Sequence, residues 1–439
     1  MRLRAIRICA PLLVALTIGV DGRAAELAAV SAGEATYEGS LDVVGHYAKP
    51  GDTRRYGSIQ RFLSNGRGTV RLEWTTWSEG DSSRVPESFL VQGARVFHRD
   101  DPSARWEEFA GMRADQARFQ AMAGFTTGER AQQPESTVVV RAHPRLGDVR
   151  DRAIFTYSDS AGVNLTMAVH ELHHEWTLRA RRMSKLPLSA HDSLFMVPAT
   201  FDPAPPNPDS LRGEAVLTRV AEGVWSVDME DVDSRSMVVE FADHLAVIEV
   251  ALSSANGERL VDAVKRAWPA KRIRYVLFSH HHPHYLGGLR ALIAEGATVV
   301  TTPGNEAYVN RIAGYRFGLA PDRLARSPRP VHVLPFPARI ELSDSTNRLV
   351  AINIGKRSDH TDEFTLFWLP RQRLLFEAEQ GWVTVNGTLR ASRRAPTLLQ
   401  ILTQEGLDVD RFVQSWPMRG DRAEVSMSEL KELVAKKRK

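Results

Sequence analysis

Thiols are almost absent from this chain. Of its 439 residues one is a cysteine, Cys9, so a disulfide framework and a thiolate metal cluster are both excluded. Any bound metal must then rest on His, Asp, Glu or Tyr. Long apolar runs are equally scarce. The one uncharged apolar stretch, residues 8–20, follows Arg2, Arg4 and Arg7 and precedes Gly22-Arg23-Ala24, the layout of a secretory leader with a small-residue cleavage site. An uncleaved anchor would need about 20 apolar residues, more than this run offers. We therefore expect residues 1–24 to be a signal peptide, the mature chain to have no integral membrane span, and its location to be periplasmic or secreted. Cys9 leaves with that leader, and an exported protein without disulfides must rely on its core.

Charge of one sign is lacking as well. The formal net charge of +4 includes four arginines and one aspartate of the leader and falls to +1 without them. The basic tail 436–439 reads as a solvated helix end, and nothing in the charge pattern calls for a nucleic-acid partner. No Gly-x-x-x-x-Gly-Lys loop and no Gly-x-Ser-x-Gly elbow occurs, which leaves nucleotide hydrolysis and serine-esterase chemistry without support. What is present is ordinary globular material, 43% hydrophobic and 25% charged, in a length that suits two domains better than one.

Five prolines between Pro198 and Pro208 can continue neither a helix nor a central strand, so residues 198–210 are expected to be a linker. Upstream, residues 25–197 contain strand-length apolar or alternating stretches at 68–74, 88–92 and 153–157, and a helical interval at 112–123. That pattern predicts a β-rich N-terminal domain. Downstream, residues 211–439 alternate: a hairpin across Asp243-His244, a helix carried by Leu260, Val261, Val264 and Ala267, a strand at 273–278, a helix at 287–295 closed by Gly296, and a strand at 297–302. This predicts an α/β layer architecture.

The most informative segment is Ser279-His280-His281-His282-Pro283-His284-Tyr285-Leu286-Gly287-Gly288, where a strand ends and a helix begins. Residues two apart on an extended strand point the same way, so His280 and His282 can converge while His281 faces elsewhere. Two imidazoles on one point suggest a metal. The glycine pair permits a close approach of the helix start to the neighbouring loop.

With these residues in view, the chain resembles the metallo-β-lactamase superfamily, whose hallmark is His-x-His-x-Asp-His followed by Gly-Gly. The resemblance covers roughly residues 212–425 and is supported by Glu222-Gly-Val-Trp225, by Val247-Ile-Glu249, by 294–300 after the histidines, by the loop 355–362 and by the strand pair around 367–376. It implies an αββα sandwich. It also implies that His280, His282 and His360 occupy the three histidine positions of the first metal site. The second site departs from the pattern: His284 stands for Asp, Tyr285 for His, Glu379 for the bridging Asp, and Arg419 for the last His. A phenol that titrates near ~10 is a poor ligand, and a guanidinium repels a second cation. We therefore expect one zinc ion and no second.

A three-histidine site with an open fourth position is a catalytic zinc arrangement. The resemblance then implies hydrolysis of a small-molecule ester, lactone, thioester or amide, with His284 or Glu379 moving protons and Arg419 holding an anionic group or developing charge. The competing reading is an envelope protein of the same fold that binds a ligand or partner without turnover.

A second metal pattern, His170-Glu171-Leu172-His173-His174, matches His-Glu-x-x-His, which requires a helix. Val163, Leu165, Met167 and Val169 alternate as in a strand, while Leu165, Ala168, Val169, Leu172 and Trp176 also fit helical spacing, so both remain open. Position 180, the usual third-ligand site, is Ala180, and His191 is the nearest substitute. Trp74, Trp77, Trp106 and Trp176 fit either core packing or a hydrophobic groove like that of acyl-carrier lipoprotein folds.

Overall fold

A computed structural model describes residues 32–45, 53–78, 84–109, 114, 117–118, 121, 135–158, 162–170, 174–188, 192–203, 214–384, 390–416 and 424–436. The expected leader, His191, Arg419 and Pro205, Pro206 and Pro208 of the expected linker lie outside them. Contacts divide the chain into two compact units, residues 1–141 with 149–205, and residues 142–148 with 206–439. No helix among the described residues is long and apolar enough to cross a membrane.

The first unit is the β-rich domain that the alternation predicts. Eleven strands form one sheet, in which Gly33–Gly45 pairs on one side with Thr53–Ser64 and on the other with His174–Leu186. Every second residue of Gly162–His170 is buried, with Val163, Leu165, Met167 and Val169 at 3% exposure or less. Period 2 has won there over period 3.6. One face of the sheet carries the core, to which the helical residues Ala114, Ala117 and Ala121 contribute.

The strand register corrects the peptidase pattern. His170 ends one strand and His174 begins the next, and the two strands pair antiparallel through Glu175 and His170. His170 and His174 end two facing strands instead of sharing a helical face. His170 lies 3.3 Å from Asp151, and among the described residues neither it nor His174 joins a metal-holding cluster. Two of the tryptophans are core residues: Trp74 and Trp176 are buried edge to face at 5.1 Å, and the Trp74 indole donates to Ser58. Trp77 and Trp106 pack under Arg84 and Arg99.

The second unit contains a seven-stranded and a six-stranded sheet. Their central strands are buried on two faces. In Ser234–Glu240 and His244–Ile248, Val238, Leu245 and Val247 join one core, while Met237, Val239, Ala246 and Ile248 join another. The latter core also takes Ala351, Phe367, Leu369, Phe376 and Val413 from the other sheet, so the two sheets face each other across it. The outer faces are covered by helices: Leu260, Val261 and Val264 of Ser254–Ala267 and Leu292 of Leu289–Ala294, then Leu398 and Ile401 of Ala395–Gln404 and Leu430 of Met427–Lys436. This is helix, sheet, sheet, helix, the αββα sandwich expected.

Within the first of these sheets His244–Ile248, Arg272–Leu277, Thr298–Thr301 and His332–Pro335 run parallel. The second sheet pairs Leu374–Glu377 with Arg411–Gln414, also in parallel. Crevices beyond the carboxyl ends of such strands are where α/β sheets hold ligands. His280 follows Leu277 by three residues and Glu379 follows Glu377 by two.

Candidate metal centre

His280, His282, His360 and Glu379 converge, with one ligand atom from each lying within 4.8 Å of all the others. It is the one such cluster of His, Cys, Asp and Glu found among the described residues. Local structure explains each position. Strand Arg272–Leu277 ends at a bend, and His280 and His282 project to one side with rings 4.4 Å apart, while His281 turns toward Tyr308. His280 is fully buried, stacked on Phe364 at 4.7 Å, with Ser279 Oγ at its Nδ1. Burial holds its pKa well below that of free imidazole.

His360 rides on a tight turn. Ser358 Oγ accepts the backbone N–H groups of His360 and Thr361, and Asp359 takes a left-handed conformation, φ 51°. Glu379 follows a second turn in which the Glu377 carboxylate accepts N–H of Gln380 and Gly381. The Gln380 amide then donates to Ser358 O, tying the two turns together. Burial pushes Glu377 up to about 7.

The donor chemistry fits one ion. A tetrahedral zinc with nitrogen or oxygen ligands at about 2.0–2.1 Å has ligand-to-ligand edges of about 3.3–3.4 Å. The atoms present lie 3.2 Å (His360 Nε2 to His280 Nε2), 3.4 Å (His282 Nδ1 to Glu379 Oε1), 3.0 Å (His360 Nε2 to Glu379 Oε2) and 3.7 Å (His280 Nε2 to Glu379 Oε1) apart. Burial would raise the Glu379 carboxyl, but hydrogen bonds from His280, His282 and His360 outweigh it and hold the group well below the usual carboxylate range.

The residues of the second-site positions are placed differently. Tyr285 is fully buried and donates its hydroxyl to Glu379 Oε1 at 2.9 Å. Burial and the nearby Glu379 and Glu249 carboxylates push its phenol well above the ordinary value, so it stays protonated. Here it is a donor to Glu379. His284 lies outside the ligand cluster with its ring against Trp416, 5.7 Å away, and burial lowers its pKa to about 4.

The glycine pair behaves as its sequence suggests. A Cβ at Gly287 would overlap the Leu252 backbone, and one at Gly288 would meet Gly257 Cα at 2.8 Å. Beside them Glu249 and Leu252 hold positive φ of 67° and 56°, backbone strain of the kind that collects at functional sites.

Arg394 and Arg145 escaped the sequence reading, as did the role of Glu249, which entered it only as the end of a strand. Glu249 accepts Ser279 N–H at 3.1 Å and so fixes the start of the histidine segment. A lone carboxylate in the apolar run 245–252 was the available signal. Arg394 places Nη2 2.8 Å from His360 Nδ1 and Nη1 3.5 Å from Glu379 Oε2. Arg145 sits in the turn 142–148 that belongs with the second unit; the side chain is buried, and its charge helps to disfavour protonation of His284. Neither arginine has a local signature, because both arrive by tertiary contact.

Together, the αββα sandwich and the His-x-His, His and Glu set at its strand ends define a protein of the metallo-β-lactamase fold with one candidate metal site. Solved structures of that class match the C-terminal half. A metallo-β-lactamase from Pontibacter korlensis is 17% identical over 50% of this chain and 97% of its own, with a TM-score of 0.38. The metallo-β-lactamase FIM-1 from Pseudomonas aeruginosa, in its mono-zinc form, is 18% identical over 51% of this chain and 96% of its own, with a TM-score of 0.36. No family model and no curated protein matches the chain.

Proposed function

We propose that the chain is an exported, metal-dependent hydrolase that holds one zinc on His280, His282 and His360 and acts on a small-molecule ester, lactone, thioester or amide. The observation that carries this reading is the convergence of three imidazoles and one carboxylate, with one ligand atom from each within 4.8 Å of the others. When bound, zinc supplies an activated water and polarises a carbonyl.

The chain's own groups do the rest. Glu379 Oε1 is held by the Tyr285 hydroxyl and Oε2 faces Arg394, so the carboxylate stays beside the position a substrate must occupy. There it accepts a hydrogen bond from the attacking water and so orients it. Phe364 and the buried Tyr285 exclude bulk water from the His280 side. His284, neutral above about pH 4, sits against Tyr285 and Trp416 and serves as an acceptor for a substrate donor. Arg419 keeps its proposed part, the holding of an anionic group.

The test is a panel of esters, lactones, thioesters and amides assayed with and without chelator, beside His280→Ala. Chelator-sensitive turnover that the variant lacks supports the proposal; no turnover on any substrate by zinc-loaded protein refutes it. The second reading, a binding protein without turnover, is favoured by one observation, the guanidinium that occupies His360 Nδ1.

A further inference from the structure

Arg394 is the last residue before helix Ala395–Gln404, and its guanidinium touches both ligand-bearing turns. Besides His360 Nδ1 at 2.8 Å and Glu379 Oε2 at 3.5 Å, it donates to the backbone carbonyls of Asp359 and Glu379, each at 3.3 Å. Its side chain is 12% exposed. Arginine in a protein only donates hydrogen bonds. Nδ1 of His360 must therefore offer its lone pair to Arg394. In a neutral imidazole the ring proton then sits on Nε2, where Glu379 Oε2 accepts it at 3.0 Å.

Nε2 is the nitrogen that faces His280 Nε2 and the centre of the cluster. A nitrogen that carries a proton has no lone pair for a metal. Ligating histidines ordinarily show the reverse polarity, the outer N–H donating to a carbonyl or carboxylate. We infer that Arg394 is a built-in competitor of the metal: it holds His360 in the tautomer that does not ligate. Loading requires Arg394 to release His360, and the site binds its ion more weakly than its three imidazoles allow. Arg394 is in this sense a positioning residue that sets metal affinity, and the inference rests on the one-metal reading.

The test compares the full-length protein with Arg394→Gln, Arg394→Leu and Arg394→Lys in zinc competition against a chromophoric chelator. Gln and Leu remove the same charge, but only the Gln amide oxygen can accept Nδ1–H. Lys, like Arg, only donates. The expected order is Gln tighter than wild type by about tenfold or more, the lower end of measured outer-contact effects, with Leu between them and Lys near wild type. Equal tightening by Gln and Leu would show a charge effect and overturn the inference, as would equal affinity in all four proteins.

Long-range proton–nitrogen NMR of the imidazoles in zinc-free protein reads the tautomer directly and requires no variant to fold. A His360 ring protonated on Nε2 in wild type supports the inference; protonation on Nδ1 overturns it. If no protein binds zinc, the one-metal reading fails, and the NMR result still decides what Arg394 does to His360.

Discussion

Arg290, two residues beyond the glycine pair, anchors the helix that backs the histidine segment. It is 2% exposed and makes a forked pair with Asp322, Nε to Oδ2 at 2.6 Å and Nη2 to Oδ1 at 3.0 Å. Its Nη1 also donates to the carbonyls of Ile312 and Ala313 at 3.0 and 2.7 Å, and its plane lies over Phe317. Arg290→Met keeps an unbranched stem and removes all four hydrogen bonds. Asp322 would retain only Ser254 Oγ and Ala325 N–H while remaining buried. Removing one partner of a buried ion pair costs about 3–5 kcal/mol. At about 2–4 °C per kcal/mol for a unit of this size, Tm should fall by roughly 6–20 °C.

The pH dependence follows from the same contacts. Burial raises the Asp322 carboxyl, but the Arg290 fork and Ala325 N–H outweigh it and set it below its ordinary value. A depressed carboxyl contributes stability that is complete above its unfolded pKa of about 3.9 and is lost as pH falls through the folded value. Thermal melts followed by near-UV circular dichroism should therefore show the widest gap between wild type and Arg290→Met near pH 8, narrowing as pH falls and the unpaired, buried Asp322 takes up a proton in the variant before it does in the wild type. A loss under about 1 kcal/mol at pH 7, the range of an exposed pair, would refute the reasoning.

Other outcomes follow from single contacts. Gly288→Ala should cost about 1–3 kcal/mol by overpacking against Gly257 and Val250, measured by urea titration; a neutral substitution would mean that the loop yields freely. Tyr285→Phe should leave zinc stoichiometry unchanged while lowering stability by about 1.5–3 kcal/mol, since it deletes a donor to a carboxylate and not a ligand. Loss of the metal in that variant would make Tyr285 a ligand. His170→Ala with His174→Ala should leave zinc binding intact by dialysis and elemental analysis, because the two histidines end facing strands.

The sandwich and the centre were legible for different reasons. Runs such as Met237-Val-Val239 and Leu245-Ala-Val-Ile248 reveal strands buried on both faces, and four histidines in five residues at a strand end announce a site by density alone. Glu379 was found because the resemblance supplied the order of positions. The helix expected at 287–295 starts earlier in fact, at Pro283, and restarts at Leu289, since proline at the first helical position favours an early start. Arg394 and Arg145 were invisible: a guanidinium far along the chain gives no periodic or local sign of the turn it will meet. At His170 the sequence carried two periods at once, and strand pairing with 174–186 decided between them.

The central claim, one metal on His280, His282 and His360, is tested most directly by elemental analysis of the purified protein after zinc is offered and excess removed, beside a His282→Ala control. The account predicts about one zinc per chain and loss of it in the control. No zinc in the wild-type protein, or two ions per chain, would contradict it.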